Sequence, residues 1–264
     1  NASKEADRFS DRPALPLRPP VLCAGCPHRA SFLAVKQAAR GKKAVFCGDI
    51  GCYTLGNAQP LDMVDTCLCM GADVTIAQGI ARMEPDTVSF AFIGDSTFFA
   101  SGITGIVNAV YNRSEMILIV LDNSTTAMTG HQPHPGTGET MTGQAHEPAS
   151  IEKILRAIRL DFVEQADPLN LKAAVAAVRR AMDAQGVRAV IFRSPCIVRK
   201  KVTRRWTIDT GLCIRCKACI KQLGCPAITT ESGVVLIEPS LCTGCGLCAQ
   251  VCPKNAITEV GIDE

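Results

Sequence analysis

The sequence predicts an α/β fold, a parallel sheet covered by helices on both faces, followed by a small cysteine-rich α+β domain. Two observations carry this reading. From Val21 to Pro195 short apolar runs of strand length alternate with segments of helical period, as in a parallel sheet with helical crossovers. After Arg205 the pattern breaks, and eight of the fifteen cysteines fall between Cys213 and Cys252, six of them in two copies of a CxxCxxC spacing.

Composition narrows the possible classes. A chain of 264 residues holds one large domain or two modest ones, and a hydrophobic fraction of 47% supplies a core. The net charge of +3 (28 basic, 25 acidic) gives no reason to expect a nucleic-acid partner. No run of 18 apolar residues occurs, so no membrane span is expected. Asn1 to Pro20 is polar and Pro-rich and lacks the basic head and apolar centre of a signal peptide. It reads as a linker and, without an initiator Met, suggests a processed chain or a fragment. An odd number of cysteines in tight CxxC steps then argues for metal or redox sites in a reducing, cytoplasmic setting rather than disulfides. The expected division is a linker over 1–20, a sheet domain over 21–198 and a cysteine-rich domain over 199–264.

The elements follow in order. Cys23-Ala-Gly-Cys26-Pro-His28 precedes a helical pattern from Ser31 to Arg40. That CxxC pair suits half a zinc site, half an iron–sulfur site or a redox pair, and the stretch by itself does not choose. Lys43 to Cys47 reads as a buried strand running into Gly48-Asp-Ile-Gly51-Cys52, a turn where backbone can approach a ligand. Cys67, Cys69 and Met70 lead into a helix with Val74, Ala77, Gln78 and Ala81 packing inward, and Met70 reads as core. Phe90 to Gly94 is the next strand. A helix from about Ser101 to Tyr111 follows, with Ile103, Ile106, Val107 and Val110 on one face. Ile117 to Leu121 is the third strand. Thr125 to Gly138, crowded with Gly, Pro and Thr, must be a long loop, and its His131 and His134 are candidate ligand contacts. Ser150 to Leu160 and Pro168 to Ala184 read as amphipathic helices, the second capped by Asp167. Phe162 to Gln165 and Arg188 to Phe192 complete the strands, and the basic stretch Arg193 to Arg205 reads as a solvated connector.

The central crossover carries the chemistry. Gly94-Asp95-Ser96 closes one strand, and 28 residues later Asp122-Asn123 closes its neighbour. In an open parallel sheet both ends meet at one crevice. Asp95, Asn123 and a backbone carbonyl near Thr125 offer oxygens to a hard cation such as Mg2+, and a helix opening near Ser96 turns N–H groups toward a phosphate. Gly-Asp-Ser also occurs in ordinary surface turns. With Asn123 at this distance it resembles the metal–diphosphate motif of thiamine diphosphate enzymes.

In the second domain Cys213-x2-Cys216-x2-Cys219-x5-Cys225-Pro is followed by Cys242-x2-Cys245-x2-Cys248-x3-Cys252-Pro. The second copy matches the two-cluster ferredoxin run, in which the fourth Cys serves the other cluster. Cys213, Cys216, Cys219 and Cys252 are thereby assigned to one [4Fe-4S] cluster and Cys242, Cys245, Cys248 and Cys225 to the other. The fold class becomes a parallel-sheet thiamine-diphosphate-binding domain plus a small two-[4Fe-4S] ferredoxin-like α+β domain.

Three runs carry a broader resemblance: Cys23-Ala-Gly-Cys26-Pro-His28-Arg29, Gly48-Asp-Ile-Gly-Cys52-Tyr-Thr-Leu-Gly56 and Thr126-Ala-Met-Thr-Gly-His131-Gln-Pro-His-Pro-Gly-Thr-Gly138. With them the chain, from Cys23 to about Ile257, resembles the C-terminal half of the alpha subunit of indolepyruvate ferredoxin oxidoreductases, in the 2-oxoacid:ferredoxin oxidoreductase superfamily. The resemblance implies oxidative decarboxylation of an aryl 2-oxo acid with coenzyme A, electrons leaving through [4Fe-4S] clusters to ferredoxin. It implies Mg2+ on the side chains of Asp95 and Asn123 and the carbonyl of Thr125. It implies thiamine diphosphate against Ile50, Gly51, Gly94, Ser96, Ala127, Met128 and His131. It also implies a third [4Fe-4S] cluster on Cys23, Cys26, Cys52 and Cys196, leaving Cys47, Cys67 and Cys69 as packing residues. The partners it implies are an N-terminal, pyrimidine-binding half or subunit, a smaller gamma-type or beta subunit, ferredoxin and coenzyme A, in a dimer of heteromers. The glutamate that activates the aminopyrimidine is expected outside this chain, which by itself should not turn over.

Overall fold

The computed structural model describes residues 17–261; most of the proposed linker over 1–20 lies outside them. Five parallel strands form the central sheet in the order β1-β2-β3-β5-β4. They are β1 (Ala44–Cys47), β2 (Val88–Gly94), β3 (Met116–Asp122), β4 (Phe162–Ala166) and β5 (Val187–Arg193). The period-2 geometry of a strand sends alternate side chains to opposite faces, and here both faces are dry. Phe90, Phe92, Ile117, Ile119, Leu121, Val190 and Phe192 enter one core. Ala91, Ile93, Met116, Leu118, Val120, Ala189 and Ile191 enter the other. This is why the central strands read as continuous apolar runs.

Helices α1 (Pro27–Ala38) and α6 (Leu171–Asp183) pack on the first face. Helices α2 (Ala72–Met83), α4 (Ile103–Tyr111) and α5 (Ile151–Ala157) pack on the second. Four sequence expectations are corrected here. Helix α6 begins at Asn170, whose side chain accepts from Ala173 N at 3.2 Å, while Asp167 instead accepts from Leu169 N at 2.9 Å in a preceding turn. The helix after β2 starts not at Ser101 but at Asp95, running through α3 (Asp95–Thr97) and a π turn, Phe98–Gly102, into α4. A Cβ on Gly102 would overlap Ile93 Cδ1, so the widened turn seats the helix closely on β2. Val107 points outward at 46% exposure, because Gly105, Ile106 and Ala109 take the buried face. The fourth concerns the basic connector: Arg204 and Arg205 are not solvated linker but the start of a strand, β6.

The cysteine-rich unit consists of β6 (Arg204–Ile208) antiparallel to β9 (Ile257–Gly261) and a hairpin of β7 (Ile228–Glu231) and β8 (Val234–Ile237). Two short helices, α7 (Ala218–Leu223) and α8 (Leu247–Gln250), complete it. It shares the first core rather than building its own: Leu223, Ile228, Val235, Leu247 and Ile257 are buried with α1 and α6. Gln250 fastens the seam, accepting from Leu171 N at 2.9 Å and donating to Leu169 O at 2.7 Å. Among the described residues no helix is long and apolar enough to cross a membrane.

Candidate functional site

The carboxyl ends of β1, β2 and β3 converge on one crevice, the position open parallel sheets use for ligands. Its walls include Ile50, Gly51, Gly94, Ser96, Ala127 and Met128, together with His28, Cys52, Tyr53, Asn123 and Thr125. Asp95 is 3% exposed and ties two strand ends together. Its Oδ1 accepts from Ser96 N at 2.9 Å and its Oδ2 from Ser124 N at 2.7 Å. Asn123 is held as firmly: Oδ1 accepts from Thr125 N at 3.2 Å, and Nδ2 donates to the Nε2 of His28, also at 3.2 Å. Ser124, at φ 59°, turns the chain back so that Thr125 returns to the crevice.

Electrostatics at this point is set by crowded acids in a dry pocket. Burial first, and the Asp95 charge second, push Asp122 up to about 6, against the pull of Arg193, 3.3 Å away. Burial drives His28 down to about 4 despite Asp95, so the ring is neutral at pH 7 and free to accept from Asn123. His134 Nε2 lies 3.1 Å from Asp95 Oδ2, at an angle too poor for a hydrogen bond, and has no other partner. Gly136 N donates to its Nδ1 at 3.1 Å. Thr125 Oγ1 is likewise buried and unpartnered.

These donors suit a hard cation only in part, and that is informative. One carboxylate, one amide oxygen and one backbone carbonyl are all oxygen ligands but do not complete a shell. Mg2+ takes its remaining ligands from water and from phosphate oxygens. His134 Nε2 and Thr125 Oγ1 are unmatched polar atoms at this site.

Two glycines of the crevice are required by a residue the sequence did not single out. A Cβ on Gly51 would come within 2.5 Å of the Tyr53 ring, and one on Gly94 within 2.6 Å. Tyr53 donates to Asp49 Oδ2 at 2.7 Å and meets the His28 ring edge-on at 5.5 Å. Tyr53, Asp49 and His28 form the floor, and no spacing rule points to them. Within the chain itself, the glycine at 51 in the Gly48-to-Cys52 turn is required by the Tyr53 ring. His131 is exposed and outside the crevice, its N–H closing a turn onto Thr126 O at 3.0 Å; the buried loop histidine is His134. Met70 is corrected too: it is 48% exposed and lines the crevice rather than the core. Cys47 is buried, as a packing residue should be, but Cys67 and Cys69 are exposed.

Cys52 is pushed up by burial and then by its neighbours Cys196 and Cys23, while Cys26 is pushed up to about 12 by burial. Cys196 N donates to Asn123 O at 2.9 Å, so this group touches the crevice wall. Cys26 also borders a cavity lined by Cys225, Cys242, Cys245 and Cys248. A further cavity is lined by Cys213, Cys216, Cys219 and Cys252. The fourth cysteine of each run therefore faces the triplet of the other. Among the described residues no three His, Cys, Asp or Glu side chains converge closely enough to hold a single ion. Two of the quartets instead line the walls of cavities.

Two family models match the chain: "Thiamine pyrophosphate enzyme, C-terminal TPP binding domain" over residues 49–192 and "4Fe-4S binding domain" over 235–258. Among curated relatives, an indolepyruvate oxidoreductase subunit IorA of Archaeoglobus fulgidus is 45% identical over 92% of this chain and 40% of its own. The IorA of Methanothermobacter marburgensis is 42% identical over 98% of this chain and 43% of its own. The chain thus spans about two fifths of these relatives. A 2-oxoglutarate synthase subunit KorB of A. fulgidus is 28% identical over 74% of this chain and 76% of its own. Among solved structures, a 2-oxoglutarate:ferredoxin oxidoreductase from Magnetococcus marinus superposes with a TM-score of 0.59 at 20% identity, covering 71% of this chain and 68% of that one, a likeness of fold.

Proposed function

Because the chain belongs to the thiamine pyrophosphate enzymes, as their C-terminal TPP-binding domain, we propose that it is the cofactor-holding and electron-carrying half of a 2-oxoacid:ferredoxin oxidoreductase. The substrate is an aryl 2-oxo acid of indolepyruvate type, the acyl group passes to coenzyme A, and ferredoxin takes the electrons. The observation that carries this reading is continuity: Asn123 O of the crevice accepts from the backbone N of Cys196, a member of the first cysteine group, and Cys26 of that group borders the cavity of the second. The names of the IorA relatives support the substrate class.

Thiamine diphosphate, when bound, supplies the carbanion chemistry, and the iron–sulfur clusters supply one-electron chemistry. The chain's own residues hold and orient. Asp95, Asn123 and the Thr125 carbonyl offer three oxygens to Mg2+, and Ile50, Gly51, Gly94, Ser96, Ala127 and Met128 shape the wall. Neutral His28 accepts from the Asn123 amide nitrogen and so fixes which way that amide is turned. Cys23, Cys26, Cys52 and Cys196 take the first cluster, Cys225, Cys242, Cys245 and Cys248 the second, and Cys213, Cys216, Cys219 and Cys252 the third. Residues 21–198 and 199–264 are the two domains, and the remaining partners are a pyrimidine-binding half carrying the activating glutamate and a smaller gamma-type or beta subunit, in a dimer of heteromers. Fifteen cysteines free of disulfides suit a reducing cytoplasm.

The test is made on the anaerobically purified complex. Cofactor released by heat and oxidised to thiochrome should fluoresce, iron and acid-labile sulfide should each reach about twelve per chain, and 2-oxo acid with coenzyme A should bleach the clusters. Absence of thiochrome would reduce the chain to an electron carrier, and about eight irons would remove the first cluster.

A further inference from the structure

Arg29, in the first turn of α1, is only 4% exposed, yet no Asp or Glu among the described residues pairs with it. Its guanidinium is spent on backbone carbonyls from two distant segments. Nη1 donates to Leu223 O at 2.5 Å and Gly224 O at 3.0 Å, at the carboxyl end of α7. Nη2 donates to Leu22 O at 2.5 Å and Cys23 O at 3.4 Å, at the entry to the first CxxC turn. Nε has no partner. A buried cation without a counter-charge is costly, so a negative group is to be sought beside it. The groups around it are cysteines: Arg29 lines one cavity with Cys26, Cys225 and Cys245 and bonds to the carbonyl of Cys23. Two of these belong to the cysteine group against the crevice and two to the neighbouring cavity of the small unit, whose lining includes Arg29 itself.

We propose that Arg29 is a positioning residue shared by two iron–sulfur clusters, its fixed charge lying between the Cys23–Cys26–Cys52–Cys196 cluster and the Cys225–Cys242–Cys245–Cys248 cluster. This rests on the cluster assignment of the preceding subsection. The carbonyl bonds fix how the CxxC turn sits against α7, and hence the spacing of the two clusters. The charge raises both reduction potentials together. It therefore favours arrival of an electron on either cluster without opposing its passage from the first to the second, a step in which one is oxidised by one electron as the other is reduced by one and no proton moves. Arginine suits this place because its charge does not titrate and its planar fork serves two carbonyl pairs at once.

The experiment is an EPR-monitored redox titration of the holoenzyme complex carrying Arg29→Gln, Arg29→Met or Arg29→Lys, with iron counted in each. The neutral variants should lower the reduced-to-oxidised ratio of both clusters about tenfold at fixed potential, a shift of about 59 mV for one electron. The Cys213–Cys216–Cys219–Cys252 cluster should not move, and Arg29→Lys should recover most of the shift. Iron lost from the two clusters in the neutral variants but kept in Arg29→Lys would equally support the proposal. Full iron with both potentials unmoved in Arg29→Gln or Arg29→Met would overturn it, as would iron lost in all three variants, which marks a packing role. Failure of the cluster assignment is distinguished beforehand, since wild-type complex would then hold about eight irons rather than twelve.

Discussion

One of the contacts that join the two halves of the chain can be broken by a single methyl group. Gly25 lies at the tip of the Cys23–Cys26 turn at φ +72°. A Cβ there would overlap Thr243 Oγ1 and sit 3.2 Å from Thr243 Cβ and 3.4 Å from Ile197 Cγ1. Gly25→Ala therefore has three costs. Left-handed backbone without glycine costs about 1 kcal/mol. Thr243 must rotate away and lose its hydrogen bond to Ala24 O, 3.2 Å long, again about 1 kcal/mol. The residual overpacking adds about 1 kcal/mol more. The sum, about 3 kcal/mol, corresponds to a fall in Tm of roughly 6–12 °C for a chain of this size. The assay is thermal unfolding followed by circular dichroism on the single variants and on the double variant with Thr243→Ala. Thr243→Ala alone should cost about 1 kcal/mol, and in its background the Gly25→Ala cost should shrink to about 1.5 kcal/mol, a coupling expected for touching residues. A Tm drop below about 2 °C for Gly25→Ala, or an undiminished cost in the Thr243→Ala background, would refute the packing argument.

Three further outcomes follow from the crevice. Asp122 is buried with its folded pKa raised from 3.8 to about 6, so its stabilising contribution is present below pH 3.8 and lost as pH rises through about 6. Asp122→Asn, which keeps an acceptor for Ser124 N, should stabilise the protein above pH 6 by about 2–3 kcal/mol with little effect near pH 4, read by urea unfolding across that range. Asp95→Asn removes the one carboxylate of the proposed Mg2+ site, and the complex should retain less than a tenth of its thiochrome-positive cofactor while keeping its iron. Cys196→Ala should lower iron by about four per chain and leave thiochrome unchanged; equal loss of cofactor would show that Cys196 holds the crevice wall rather than a cluster.

What could be read from the residues alone was whatever repeats at short range. Alternation of apolar runs with helical periods gave five strands in the right places, because burial on both faces is written into every strand residue from Phe90 to Gly94 and Met116 to Asp122. The Gly94-Asp95-Ser96 and Asp122-Asn123 ends followed, since strand ends in a parallel sheet must share one edge. The CxxCxxC runs were legible for the same reason: ligand spacing along the chain is a local property. Tertiary structure alone decided the rest. Tyr53, which forces glycine at 51 and 94, and His28, which orients Asn123, act through contacts between residues that no period connects. The choice of His134 over His131 depended on how a loop without periodicity folds back onto Phe99 and Asp95. The small unit's burial against α1, with Arg29 caught between two cysteine groups, came from packing of surfaces some 190 positions apart. Local pattern specifies elements and their ends, whereas the contacts that set a site's charge are made across the fold.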